Sequence, residues 1–364
     1  MTHPVRSALH VRPGIPAQEP PRELLAKISP RRSLSPQQFI EGILQGDRTI
    51  LAQAITLIES SRPADRELAE RIVEACLPHS GNSIRVGVTG VPGAGKSCLI
   101  EALGTRLIAE LGQRVAVLAI DPSSQISGGS ILGDKTRMTT LASSPMAFIR
   151  PSPSRGSLGG VAQRTREAML LCEAAGYHNI LVETVGVGQS ETAVHNMVDC
   201  FLLIMLAGAG DELQGIKRGI MELADLVVIN KADGANLVPA ERARTEAQNA
   251  LHYLPASPSG WIPRALACSA QTRSGIVELW SAVLEHTELT KANGWFTLAR
   301  RGQTRRWMHE IIQEGLRLRF ESNPSIRQRM ATLEQDVLEG RTTSFRAART
   351  LLEMYADPPR IDTH

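Results

Sequence analysis

The chain has 364 residues, 42% of them hydrophobic, and a formal net charge of +3. That supports a sizeable core and two or three structural units, and so mild a charge implies no general affinity for nucleic acid. The five cysteines (Cys76, Cys98, Cys172, Cys200, Cys268) contain no C-x-x-C pair, which argues against a disulfide framework and a zinc site and fits a reducing compartment.

Residues 1–34 carry prolines at 4, 13, 16, 20, 21 and 30 and read as a disordered lead-in. They lack the apolar core of a secretory signal, and Glu19 and Glu23 count against a transit peptide. Residues 35–80 read as a small helical domain. Ser35-Pro36 starts a first helix with Phe39, Ile43 and Leu44 at helical spacing. Leu51, Ile55 and Ile58 mark a second helix, and Leu68, Ile72 and Val73 a third.

Residues 81–288 alternate short apolar runs with helical stretches. The predicted strands are 84–88, 115–120, 146–149, 179–182, 200–206, 226–229 and 264–267. Runs of this kind are buried on both faces when the sheet is parallel and covered by helices. None is long enough to cross a bilayer. The fold class expected is α/β: a phosphate-loop NTPase with a mainly parallel sheet flanked by helices.

Residues 289–358 are helical again. Trp307, Ile311, Ile312 and Leu316 form one face, Pro324 opens a second helix with Ile326, Met330 and Leu333, and Phe345, Ala348, Leu351 and Leu352 mark a third. A short tail, 359–364, follows. Arg300, Arg301, Arg305 and Arg306 read as a solvated helix face.

The first strand leads into Gly90-Val91-Pro92-Gly93-Ala94-Gly95-Lys96-Ser97, a G-x-x-x-x-G-K-[ST] loop, and Cys98 begins an apolar helical run. Strand, glycine loop and helix together are the context that makes this pattern a polyphosphate site. Backbone N–H groups from Gly90 to Cys98, Pro92 excepted, turn toward the phosphates, and the helix N-terminus adds positive potential. Lys96 is placed on the β- and γ-phosphates and the Ser97 hydroxyl on Mg²⁺. Cys98 reads chiefly as a packing residue, with oxidation sensitivity as the second reading.

Asn230-Lys231-Ala232-Asp233 follows the strand 226–229 and has the N-K-x-D pattern of a guanine reader. Guanine presents N1–H and N2–H₂ on one edge, and a carboxylate accepts both; adenine offers no such pair. Asp233 is then the specificity residue, in a site type that rejects unpaired analogues on the order of 10⁴-fold. The Lys231 stem is expected over the base plane, with Asn230 bracing the loop. Ser269-Ala270, after the strand 264–267, fits the last guanine-contacting loop.

Asp121 and Glu183 each end a predicted strand. Either alone also reads as a helix N-cap or surface charge. Both at carboxyl ends of strands favour a metal or water role. Gly186 is placed to offer its N–H to the γ-phosphate. Residues 127–137 are too glycine-rich to be rigid; they read as a loop that orders around nucleotide with Asp134 facing the metal, or as an ordinary surface loop. The catalytic set is Lys96, Glu183, Asp134 and Lys217. Little in it resembles a strong general base, so slow intrinsic GTP hydrolysis raised by a partner is expected.

Several long motifs lie around these residues: Asp121-Pro122-Ser123-Ser124, the segment 127–138, Arg150-Pro151-Ser152-Pro153, the segment 183–191, and Gly210-Asp211-Glu212-Leu213-Gln214-Gly215-Ile216-Lys217. From about Ser35 to Tyr355 the chain resembles the G-protein chaperones of adenosylcobalamin-dependent methylmalonyl-CoA mutase, also described as lysine/arginine/ornithine transport kinases. The resemblance implies a GTPase core of the class that inserts nickel into hydrogenase and urease. It implies GTP/GDP and Mg²⁺ as ligands and a homodimer built through the C-terminal helices. The partner would be the mutase, which carries the adenosylcobalamin, with an adenosyltransferase as a further candidate. The chaperone would gate B12 loading and protect or reactivate the mutase, in the cytoplasm or, in a eukaryote, the mitochondrial matrix. Asp211, Gln214 and Lys217 match a third mobile loop coupling partner binding to hydrolysis; Gly208-Ala209-Gly210 predicts a hinge there, and a helix start capped by Asp211 is compatible. The alternatives are a chaperone for a related acyl-CoA mutase, a transport-system kinase and a nickel metallochaperone. The last requires a His tract or Cys pair that the nine histidines do not supply.

Overall fold

Seven strands form one sheet in the order β3-β2-β4-β1-β5-β6-β7, with every neighbouring pair parallel. They are β1 (Ile84–Gly90), β2 (Val115–Ile120), β3 (Ala147–Arg150), β4 (Asn179–Thr184), β5 (Cys200–Leu206), β6 (Leu226–Asn230) and β7 (Arg264–Ala267). The computed structural model describes residues 34–120, 138–151, 158–184, 190–208 and 218–356.

Each predicted strand is present, with small shifts at the ends. β4 runs to Thr184 and β6 to Asn230, because pairing continues through Val88↔Glu183 and Leu206↔Asn230. Glu183 and Asn230 are therefore ladder residues inside the carboxyl edge, not loop residues after it. β3 sits one residue later than expected, its register fixed by Val115↔Ala147.

The helices among the described residues are α1 (Pro36–Leu44), α2 (Arg48–Glu59), α3 (Pro63–Cys76), α4 (Lys96–Leu111), α5 (Thr139–Ser143), α6 (Leu158–Ala174), α7 (Ser190–His195), α8 (Arg218–Met221), α9 (Leu237–His252), α10 (Ile276–Ala292), α11 (Trp295–Ser322), α12 (Pro324–Leu338) and α13 (Ser344–Ala356). Alternate strand residues face opposite layers. Val86, Val88, Val115, Val117, Leu202 and Ile204 pack against α4, α5 and α10. Ala116, Leu118, Phe148, Ile180 and Phe201 face α6, α7 and the N-terminal helices. Leu203, Met205, Val227 and Ile229 carry α8 and α9.

The N-terminal helices obey the sequence signals closely. The Ser35 hydroxyl accepts from the Gln38 N–H while the Gln38 side chain accepts from the Ser35 N–H, a reciprocal capping box. Ile43, Leu51, Ile55 and Ile72 then bury completely in the same apolar cluster as the sheet.

α10 runs unbroken through position 289, and the chain turns at Asn293–Gly294 before the 28-residue α11. The arginine cluster is a solvated face at three of its four positions, and Arg300 is the exception. The Arg300 guanidinium grips Asp199 with two 2.7 Å bonds and donates to the carbonyls of Gly81 and Ser83, each at 2.7 Å. Arg306 donates to the Asn196 side chain. Arg301, Arg305 and Arg306 remain exposed to solvent. A helical spacing of charges does not reveal that a buried carboxylate waits opposite one of them. α12 and α13 close a small separate cluster of Ile326, Leu333, Ala347 and Leu351. No helix among the described residues is long and apolar enough to cross a membrane.

Candidate functional site: a phosphate loop joined to a base-reading loop

The site lies along the carboxyl edges of β1, β4, β6 and β7, where open parallel sheets bind ligands. Gly90 ends β1 with φ +145°, and a Cβ there would meet the Ile204 carbonyl oxygen at 2.2 Å. Only glycine lets β1 leave the sheet at this point. The loop then turns, with the Ala94 N–H donating to the Val91 carbonyl at 3.2 Å. Gly95 takes φ +87° and opens α4, where a Cβ would lie 2.5 Å from Asn230 Nδ2. The first-turn N–H groups of α4 face the loop, the arrangement that attracts phosphate.

Lys96 Nζ donates to the carbonyls of Gly90 (2.8 Å) and Val91 (3.2 Å), folding its chain back across the loop. The Ser97 hydroxyl donates to Glu183 Oε1 at 2.9 Å, and both residues are buried. β1 and β4 are adjacent, so the expected pair of Mg²⁺ oxygens is brought together by strand order alone. Hydroxyl and carboxylate oxygens are the hard donors Mg²⁺ takes, and their place beside the phosphate loop fits that ion. Beneath them the Thr89 and Thr184 hydroxyls pair at 2.8 Å, fully buried.

The base-reading residues converge on the same loop. Asn230 Nδ2 donates to the Ala94 carbonyl at 2.8 Å. Its Oδ1 accepts the Ala270 N–H at 3.3 Å and the Cys268 thiol at 3.7 Å. Burial pushes the Cys268 thiol up to about 12, so at neutral pH it stays a donor. The Ser269 hydroxyl donates to Asp233 Oδ2, orienting the carboxylate while each of its oxygens keeps acceptor capacity for a ligand edge. The Ala232 N–H donates to the Cys268 carbonyl at 2.9 Å, so the two base loops are stitched by main chain as well. Cys98 is exposed on the first turn of α4.

The structure therefore brings together Gly90, Pro92, Gly93, Ala94, Gly95, Lys96, Ser97, Glu183, Asn230, Lys231, Asp233, Ser269 and Ala270. Asp121, Asp134, Gly186, Asp211, Gln214 and Lys217 lie outside the described residues. Among the described residues no cluster of three or more His, Cys, Asp or Glu side chains forms a further metal site. Sequence reading missed Thr184 and Cys268, which carry no motif of their own. Their positions, one after Glu183 and one before Ser269, are the signal that could have found them.

Comparison with known proteins follows this geometry. The family model of methylmalonyl-CoA mutase-associated GTPase MeaB matches residues 51–325. A putative GTPase of Caulobacter vibrioides is 51% identical over 314 residues, covering 86% of this chain and 95% of its own. The mitochondrial methylmalonic aciduria type A homolog of Mus musculus is 46% identical over 333 residues, covering 88% and 80%. Among solved structures, one described as an LAO/AO transport system kinase has a TM-score of 0.72 at 40% identity, covering 89% of this chain and all of its own.

Proposed function

We propose, from the premise that this chain belongs to the family of methylmalonyl-CoA mutase-associated GTPases, that it is a Mg²⁺-dependent GTPase serving as chaperone to an adenosylcobalamin-dependent mutase, methylmalonyl-CoA mutase first. The observation that carries the nucleotide reading is Asn230, one side chain bonded to both the phosphate loop and the last base loop.

In this reading the loop N–H groups and Lys96 take the β- and γ-phosphates, with Lys96 exchanging the Gly90 and Val91 carbonyls for phosphate oxygens. Ser97 and Glu183, joined by Asp121 and Asp134, would hold Mg²⁺, which when bound neutralises charge on the β- and γ-oxygens. Asp233, steadied by Ser269, accepts the two N–H donors of guanine. Gly186 offers its N–H to the γ-phosphate. No strong base stands in this set, so intrinsic hydrolysis is slow. Lys217, in the segment it shares with Asp211 and Gln214 that couples partner docking to hydrolysis, adds positive charge at the transition state when the mutase docks.

The C-terminal helices supply the contact with a second copy. Met308, Ile312 and Leu316 on α11 and Phe345 on α13 are large and apolar, and all are well exposed. Such a patch suits a homodimer. The mutase itself keeps the adenosylcobalamin; the chaperone gates its loading and rescues the inactivated enzyme, with an adenosyltransferase joining at delivery. The setting is the bacterial cytoplasm or the mitochondrial matrix.

A pull-down with GTP, GDP or no nucleotide tests the reading, with nucleotide-dependent capture of methylmalonyl-CoA mutase as the expected result. A related acyl-CoA mutase would change the partner, and ATP use with GTP ignored would favour a transport kinase. Asp233→Asn is expected to shift preference from GTP to xanthosine triphosphate. Lys217→Ala is expected to spare basal hydrolysis and blunt its stimulation.

A further inference from the structure

Only two non-glycine residues among the described ones hold a positive φ: Lys231 at +60° and Arg273 at +62°. Both lie on the loops that carry the base-contacting residues. A residue with a Cβ is disfavoured there and stays only where its surroundings impose the conformation.

The peptide after Lys231 is held on both sides, its N–H by the Cys268 carbonyl and its carbonyl by one side chain. Asn236 Nδ2 donates to the Lys231 carbonyl oxygen at 2.7 Å. The Asn236 main-chain N–H donates to the Asp233 carbonyl at 2.9 Å. Asn236 therefore ties the loop from both its side chain and its backbone, although it lies outside the N-K-x-D pattern. It is half-buried, so core packing does not account for it.

The conformation has a consequence for direction. A Cβ built on Gly95 would lie 3.9 Å from Lys231 Cε, so the lysine stem runs back over the phosphate loop. Release of Lys231 to the extended or right-handed region would swing that stem elsewhere. A stem already in place is ordering that the ligand does not have to impose on binding.

We propose that Asn236 is a positioning residue for nucleotide binding, its amide holding Lys231 left-handed so that the lysine stem is set across the base site in advance. The proposal rests on the guanine-nucleotide reading above. It assigns Asn236 to affinity and not to base choice, because the stem covers a base plane whichever edge that base presents. Asp233 keeps the choice.

The test is equilibrium titration of GDP, inosine diphosphate and ADP into the full chain. Asn236→Ala is expected to weaken GDP and inosine diphosphate alike, by about fivefold, the scale of one net hydrogen bond. The ratio between the two is expected to stay unchanged. Asn236→Asp, which keeps the shape and loses the donor, is expected to weaken binding at least as much. In a Lys231→Gly background, where positive φ is unstrained and the stem is gone, Asn236→Ala is expected to add less than about twofold, the coupling that a shared pathway requires. Unchanged GDP affinity in both Asn236 variants would overturn the proposal, as would an equal cost with and without Lys231. A wild-type chain with no preference for GDP over ADP would instead overturn the guanine reading, a result the titration reads separately.

Discussion

Asn230 and Ala94 stand 136 positions apart in the chain and are joined by one 2.8 Å hydrogen bond. The bond fixes the distance between the loop proposed to select the base and the loop proposed to take the phosphates. Asn230 is 1% exposed, so removal leaves the Ala94 carbonyl, the Ala270 N–H and the Cys268 thiol without their partner in a dry place. Asn230→Ala is therefore expected to cost about 2–3 kcal/mol in GDP binding, measured by calorimetry. A cost below about 0.5 kcal/mol, the floor for one net hydrogen bond, would mean that the link is incidental.

Gly90 passes beneath a carbonyl. Gly90→Ala would place Cβ 2.2 Å from the Ile204 oxygen at φ +145°. Strain and overpacking together are expected to cost about 3 kcal/mol or more, read as a lowered thermal midpoint. Gly302→Ala is the comparison. It sits in α11 with nothing near its Cβ, and is expected to stabilise by about 0.5–1 kcal/mol.

Arg300→Ala would strand Asp199, whose side chain is 3% exposed against 14% for the arginine. The Arg85 N–H would remain as a partner at 2.8 Å. Breaking a pair buried this deeply is expected to cost about 3 kcal/mol, measured by urea unfolding. The double variant Arg300→Ala/Asp199→Asn should cost less than the sum of its parts; strict additivity would show that the two do not interact.

Much of this site was legible in the chain because its chemistry is local. Gly90 to Ser97 is one continuous segment, and Asn230 to Asp233 another. Each follows an apolar run that could only be an inner strand. The fold was legible for the same reason, since buried parallel strands such as 200–206 read as unbroken apolar runs. What could not be read was long-range. Arg300 looked solvated because nothing in its own helix reveals Asp199 a hundred residues earlier. Asn236 carries no signal in the sequence because its partner is a main-chain carbonyl, and the role of Cys268 is hidden because its acceptor belongs to another loop.

Acid sensitivity should centre on Glu173. Burial pushes its carboxyl up, but the Arg85 guanidinium and the Ser83 hydroxyl outweigh that and hold it below the usual carboxylate range. A carboxyl lowered on folding binds its proton less readily in the native chain than in the unfolded one. Its stabilisation is thus present above the unfolded value, about 4.3 for Glu, and is lost as pH falls through the lower folded value. Glu173→Gln is expected to flatten the decline of thermal midpoint below about pH 5 and to lower the midpoint at pH 7. An unaltered acid limb would assign the sensitivity elsewhere.

Cysteine reactivity offers an independent check on burial. Cys172 and Cys200 are held well above the usual thiol range by burial, Cys76 is raised to about 11, and Cys268 to about 12. Cys98 alone is exposed. Titration with a disulfide reagent at pH 7.5 is expected to consume one thiol rapidly and the rest only on denaturation. GDP should slow that first thiol, which lies two residues after Lys96. A second fast thiol would contradict the packing around the sheet.

The cluster of Ile326, Leu333, Ala347 and Leu351 at the far end of α11 shares no residue with the clusters on either sheet face. Four buried side chains, with Phe320, Met330, Val337, Met354 and Tyr355 packed partly buried against them, make a core much smaller than the sheet's, so by itself this tip is a weaker cooperative unit, and only the fastened root of α11 shares the fate of the sheet. Amide exchange should therefore grade along the limb, slow near Arg300 and fast beyond Asn323. A second copy laid against it would erase that gradient, making exchange at the tip a gauge of self-association that needs no knowledge of the proposed partner enzyme.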